Sequence, residues 1–335
     1  MLEHGGALNA MALRYGRPAA EWLDLSTGIN PNGYPPPLLD PACWRRLPQD
    51  DDGLEEAARR YYGSPQSLAV AGSQAAILAL PRLFPSGRVL LLTPSYAEHA
   101  AAWQRAGHTL QLLQANSDKI DLEAAAAGCD YVLLCQPNNP TGTRFSTARL
   151  LELVDALDRR GGALLVDEAF MDCTPEDSLA AASGRPGLVV LRSLGKFFGL
   201  AGARVGFVLA EAALLAALRD ALGPWPLSGP ARVVARVALA DRDWQEATRR
   251  RLREDGERLA ALLRDHHLGR PQGTPLFQWL AHAQAAAIYE ALARRGILIR
   301  LFADPPGLRF GLPGTETEWA RLAAALEQTE TLDVV

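Results

Sequence analysis

Five short apolar runs set the strongest limit on what this chain can fold into. They are RVLLL at 88–92, YVLLC at 131–135, ALLVD at 163–167, LVVLR at 188–192 and VGFVLA at 205–210. Their bulk is valine and leucine with almost no polar alternation, as in strands covered on both faces. Amphipathic stretches separate them, such as 146–160, where Leu150, Leu151, Val154 and Leu157 share one face. Strand–helix–strand alternation of this kind predicts an α/β fold with a mainly parallel sheet and right-handed crossovers. A helix is expected over 53–62, ended by Gly63 and Pro65. The Gly- and Pro-rich first 50 residues read as an irregular arm. LGPWPLSGP at 222–230 breaks the rhythm. Beyond it come a long charged helix over 241–266, strands at 276–281, 297–302 and 308–312, and helices near 284–295 and 315–328. That is a smaller α+β domain. The expected division is 1–45 for the arm, 46–225 for the large domain and 226–335 for the small one.

Charge and composition exclude several classes. With 34 basic and 38 acidic residues, a net charge of −4 and no basic stripe, nothing invites nucleic acid. No apolar stretch approaches the roughly 18 residues of a membrane span. The start lacks the basic-then-apolar order of a signal peptide, so a cytoplasmic address is expected. Cys43, Cys129, Cys135 and Cys173 show no CxxC spacing and read as small hydrophobes. No histidine stands at a zinc-ligand spacing, so no metal site is expected.

Of the 34 basic residues only Lys119 and Lys196 are lysine. A codon bias toward arginine explains the excess, but a retained lysine raises the question of a required primary amine. An amine can lose its proton and condense with a carbonyl; a guanidinium cannot. Lys119 lies in the polar stretch NSDKIDL and reads as a solvated loop residue. Lys196 lies among aromatics and glycines in RSLGKFFGLAGARVGF. Ligands bind open α/β sheets at the carboxyl ends of the strands. Asn139 (in CQPNNPTG), Asp167 (in DEAF), Ser193 and Lys196 all follow such ends, and Arg204 heads the next strand. An amide, a carboxylate, an amine and a guanidinium thus share one rim.

The order AGSQAA, PSYAEH, PNNPTG, DEAF and SLGKFFGLAGARVG resembles the fold-type I pyridoxal-phosphate enzymes, over residues 71–207. The resemblance implies their transferase fold, a seven-stranded, mostly parallel large-domain sheet with a small C-terminal α+β domain. It also implies pyridoxal 5'-phosphate as cofactor and a homodimer. On that resemblance Lys196 holds the cofactor aldehyde and then serves as acid or base at Cα. Asp167 keeps the pyridine nitrogen protonated, Asn139 donates to the ring 3-oxygen, and Tyr96 stacks on the ring. Gly72, Ser73 and Gln74 at a helix start, with Ser193 and Arg204, cradle the phosphate. Three positions depart from the pattern. Phe170 stands where many relatives have tyrosine, Gly195 replaces a serine or threonine, and Leu47 replaces a tyrosine that reaches a neighbouring subunit's phosphate.

Within that superfamily the chain is similar to the histidinol-phosphate aminotransferase branch. HGG at 4–6, LDLSTGINPNGYP and DEAF resemble the L-threonine O-3-phosphate decarboxylases inside it. The implied reaction releases CO2 and (R)-1-aminopropan-2-ol O-2-phosphate for cobalamin biosynthesis, from a small anionic phosphorylated amino acid. Arg309 would take the α-carboxylate. Arg300 with His4 would take the phosphate, and Gly5, Gly6 and Asn30 would complete the substrate site. The alternative is an aminotransferase acting on histidinol phosphate or an aromatic amino acid, which would need a 2-oxo acid. A non-catalytic binding protein on the same scaffold is the third reading.

Overall fold

Full burial of valine and leucine on both faces gives the chain its main sheet. The structure, a computed structural model, describes residues 4–115 and 120–328. Lys119 therefore lies outside the described residues. In chain order the first strands are β1 (Leu23–Asp24), β2 (Leu68–Ala71), β3 (Arg88–Thr93), β4 (Thr109–Gln114), β5 (Tyr131–Cys135), β6 (Ala163–Asp167), β7 (Leu188–Ser193) and β8 (Val205–Leu209). They are followed by β9 (Gln272–Thr274), β10 (Phe277–Ala281), β11 (Ile297–Leu298), β12 (Arg300–Ala303) and β13 (Pro306–Gly311). The chain divides into two compact units. One comprises 1–32, 140–142 and 250–335; the other comprises 33–139 and 143–249.

The larger unit is built on a seven-stranded sheet of order β2-β8-β7-β6-β5-β3-β4. Every pairing is parallel except the two made by β8. Leu91, Leu133, Leu165, Val189 and Val208 are buried in its core, beneath helix Gly72–Ala79. The five apolar runs are the strands β3, β5, β6, β7 and β8. Two strands lie outside the expected set. TLQLLQ of β4 is a half-exposed edge whose polar residues follow no strict alternation, and LAVA of β2 is short and small. Helix Gly229–Ala240, after the Pro-rich break, belongs to this unit, so the boundaries fall at 32 and 249 rather than at 45 and 225. Arg232 of that helix is buried and gripped by Asp52 at 2.7 Å, which secures the helix within the unit.

The smaller unit holds an antiparallel sheet of order β12-β13-β10-β9 and a parallel pair, β1 with β11. The expected strand over 297–302 is interrupted at Ile299, so its halves join different sheets. The arm is less irregular than its composition suggests. LNAMALRY forms a helix, Leu8–Tyr15, from good helix formers. Met11 and Trp22 pack with Ala293 and Leu298, and the Tyr15 hydroxyl donates to Glu290 at 2.6 Å.

Candidate active site

Parallel strands β5, β6 and β7 deliver their carboxyl ends to one edge of the larger unit, and the residues at and just beyond those ends line a pocket of about 140 Å³. Asn139, Asp167, Ser193 and Lys196 lie on it, with Tyr96 and Arg204. Gly72, Ser73 and Gln74 form another part of its wall, at the start of helix Gly72–Ala79. No side chain caps that helix. Ser73 is therefore a first-turn residue rather than the cap, which leaves backbone N–H groups and the positive end of the helix dipole to the pocket. Gly72 sits at φ +69°, and a Cβ on it would lie 2.7 Å from Nη2 of Arg204. A bare glycine is what lets the guanidinium come over the helix start.

Gly206 holds the same corner from below. A Cβ there would lie 2.5 Å from the Ser73 nitrogen, 2.8 Å from the Gly72 carbonyl carbon and 2.9 Å from the Arg192 oxygen. All three are backbone atoms, so the helix start must shift. Gly206→Ala is expected to cost about 1–3 kcal/mol and to weaken anion binding at the helix start. Thermal unfolding with and without phosphate checks both effects.

Asp167 is 7% exposed, and its Oδ2 lies 2.8 Å from Nε2 of the fully buried His99. Its Oδ1 accepts the Ala169 N–H at 3.0 Å. Burial works against a charged imidazole, but the hydrogen bonds of His99 to Asp167 and Cys135 outweigh it and push its pKa up to about 10. His99 is thus a cation that donates to the carboxylate. Its folded value is raised above the ordinary 6.5, so its stabilising contribution is complete below that value and is lost as pH rises through about 10. The stability difference between wild type and His99→Gln is expected to shrink over that window, as urea unfolding at successive pH values would show.

Sequence reasoning assigned no role to His99, although it is three residues beyond Tyr96 in the same motif. Nor did it find Cys135 as more than a small hydrophobe. Its thiol accepts from the Ser95 hydroxyl at 3.3 Å and lines the pocket. Among the described residues, the ligand atoms of His99, Cys135 and Asp167 lie within 4.8 Å of one another, the one grouping compact enough to suit a metal ion. As placed, they are engaged in hydrogen bonds with each other.

The Tyr96 hydroxyl donates to Gln74 at 3.0 Å, and Gln74 donates to Glu98 at 3.2 Å, which ties the aromatic wall to the helix start. Burial, with Glu98 and Asp167 nearby, pushes the Tyr96 phenol up to about 12. The Lys196 Nζ lies 5.3 Å from the centre of the Phe170 ring. Ser193 accepts the Gly195 N–H at 3.2 Å. A Cβ on Gly195 would meet only ordinary contacts, so space does not demand glycine there. Leu47 is 66% exposed.

Directly behind the rim, buried Arg192 donates to Glu168 and to Asp172, each at 2.6 Å, and lies 4.5 Å over the Tyr62 ring. Burial disfavours its charge, but the two carboxylates raise its pKa and keep it a cation. Glu168 follows Asp167, and Arg192 precedes Ser193. This ion cluster therefore cross-links the ends of β6 and β7, which carry the pocket's carboxylate and amine.

The candidate substrate residues lie in the smaller unit. Arg300 and Arg309 stand opposite one another across β12 and β13. Burial first, and Arg300 second, draw the Arg309 guanidinium down to about 10. Arg309 donates to the Ser26 carbonyl at 2.7 Å, and Gly6 N–H donates to the Ser26 hydroxyl at 2.7 Å. His4 is exposed. Asn30 is buried, and its Oδ1 accepts from Asn32 at 3.0 Å and Arg251 at 3.3 Å.

An amine and a carboxylate, with a helix start and a guanidinium, thus line one pocket, a set whose chemistry suits a phosphorylated carbonyl compound. The chain belongs to the family described as aminotransferase class I and II, whose profile matches residues 43–335. It is 54% identical over 326 residues to the threonine-phosphate decarboxylase of Pseudomonas aeruginosa, covering 97% of each chain. It is 41% identical to the threonine-phosphate decarboxylase of a Sinorhizobium species, covering 98% of each. The histidinol-phosphate aminotransferase of Sinorhizobium meliloti, solved in complex with pyridoxal-5'-phosphate, shares the fold. Its TM-score is 0.82 at 22% identity, over 98% of this chain and 95% of that one.

Proposed function

We propose that this protein decarboxylates L-threonine O-3-phosphate, using pyridoxal 5'-phosphate, and releases CO2 and (R)-1-aminopropan-2-ol O-2-phosphate. The observation that carries this reading is the 54% identity, over 97% of both chains, to the Pseudomonas aeruginosa threonine-phosphate decarboxylase. The pocket's own chemistry fits the cofactor. The uncapped helix start, Arg204 and the space left by Gly72 suit a phosphate, while Asp167, backed by cationic His99, suits a protonated ring nitrogen.

When bound, the cofactor supplies an aldehyde that captures the substrate amine and a ring that accepts the electron pair left at Cα. Lys196 holds the cofactor between turnovers and, once released, delivers the proton to Cα that replaces the carboxylate. Asp167 would hold the ring nitrogen's proton in place, and His99 keeps the Asp167 carboxylate oriented. Asn139 donates to the ring 3-oxygen, Tyr96 covers the ring face, and Ser193 joins Gly72, Ser73, Gln74 and Arg204 around the phosphate.

Arg309 takes the α-carboxylate. A buried cation beside a second arginine gains when an anion arrives, which supports an anionic substrate group here. Arg300 and His4 take the substrate phosphate, with Gly5, Gly6 and Asn30 around it. The active species is a cytoplasmic homodimer that serves cobalamin biosynthesis. No helix among the described residues is long and apolar enough to cross a membrane.

The test is release of CO2 from L-threonine O-3-phosphate by cofactor-loaded protein with no 2-oxo acid added. Sustained, stoichiometric release is expected. A single half-reaction that stops until a 2-oxo acid is supplied would favour the aminotransferase reading instead.

A further inference from the structure

Ser26 follows β1, is 2% exposed, and has every polar atom hydrogen-bonded. Its carbonyl accepts from Nη2 of Arg309 at 2.7 Å. Its hydroxyl accepts the Gly6 N–H at 2.7 Å and donates to Oδ1 of Asp24 at 2.6 Å. Its own N–H donates to the same Asp24 oxygen at 2.9 Å, which closes a turn and fixes both oxygens in direction. The two glycines of HGG are read against this residue. A Cβ on Gly5 would collide with the Ser26 carbonyl, the atom that Arg309 uses, and Gly6 sits at φ +81°. The arm lies on Ser26 only because it lacks side chains at both positions.

We propose that Ser26 is a positioning residue that couples the His4-Gly5-Gly6 arm to Arg309, so that recognition of the substrate's phosphate and of its carboxylate are set by one turn. This rests on the substrate reading given above. The hydroxyl holds the arm and therefore His4; the carbonyl holds Arg309; Asp24 makes the two move together. A loosened arm then costs affinity for the phosphorylated end of the substrate, and a displaced carbonyl costs affinity at the carboxylate.

The test uses the full-length, cofactor-loaded protein and its Ser26→Ala, His4→Ala and double variants. Ser26→Ala deletes only the hydroxyl, so KM for L-threonine O-3-phosphate is expected to rise about tenfold, as for one lost charge-assisted contact. The rise in KM is expected to exceed any fall in kcat. The double variant is expected to be little worse than either single one, because both remove the same interaction. Hydrogen exchange at the Gly6 amide is expected to accelerate by about tenfold or more in Ser26→Ala. Gly5→Ala, which keeps the hydroxyl but presses on the carbonyl, is expected to raise KM as well. Unchanged exchange at Gly6, or effects of Ser26→Ala and His4→Ala on KM that simply multiply, would overturn the coupling. If the wild type turns over no threonine phosphate, the substrate reading fails, while the exchange result still decides whether Ser26 latches the arm.

Discussion

Lys196→Arg is expected to be as inactive as Lys196→Ala, each losing roughly 10⁴-fold or more in turnover. The residue sits at the pocket wall, 5.3 Å from the Phe170 ring centre, in a position where a guanidinium could keep the positive charge. If charge were all that mattered, arginine would rescue part of the rate. An arginine cannot give up its proton or condense with an aldehyde, so charge without amine chemistry is expected to rescue nothing. CO2 release measures the rate. Borohydride treatment followed by peptide mapping is expected to fix the cofactor to the peptide carrying Lys196 in the wild type and in neither variant.

Asp167→Ala is expected to be the second most damaging change, lowering turnover by roughly 10³-fold. Two effects combine. The proposed cofactor's ring nitrogen would lose its carboxylate partner, and His99, fully buried, loses the partner that keeps it charged. Burial then governs, and the imidazole turns neutral. Asp167→Asn keeps the shape and the hydrogen bond to Ala169 but not the charge, so it is expected to lie close to Asp167→Ala rather than to the wild type. His99→Gln is expected to lose less than either. The steady-state rates of the three variants, with cofactor affinity measured alongside, check this ranking. Equal losses in Asp167→Asn and His99→Gln would show that orientation, not charge, is what Asp167 contributes.

The parts of the fold that were legible in the sequence are those whose physics is local. Strands β3, β5, β6, β7 and β8 are buried on both faces, and their composition states it. β4 was not legible, because an edge strand with Leu112 60% exposed follows no clean pattern. The site divided the same way. Asn139, Asp167, Ser193 and Lys196 announce themselves at strand ends, and the resemblance to a known family ordered them. His99 and Arg192 did not. A histidine in an amphipathic helix and an arginine closing an apolar run look ordinary until the fold sets one against Asp167 and the other between Glu168 and Asp172. The two glycines after His4 were placed in the substrate site by resemblance alone. Their requirement for no side chain arises only from where the Ser26 carbonyl lies.

The central claim is that the pocket removes the carboxylate rather than exchanging the amine. The most direct measurement follows L-threonine O-3-phosphate labelled at its carboxyl carbon, in parallel with histidinol phosphate plus 2-oxoglutarate, on one preparation of cofactor-loaded protein. The account predicts labelled CO2 in stoichiometric amount, an amine product that retains phosphate, and little glutamate from the second pair. Label retained in a phosphorylated 2-oxo acid, with glutamate formed readily from histidinol phosphate, would contradict it.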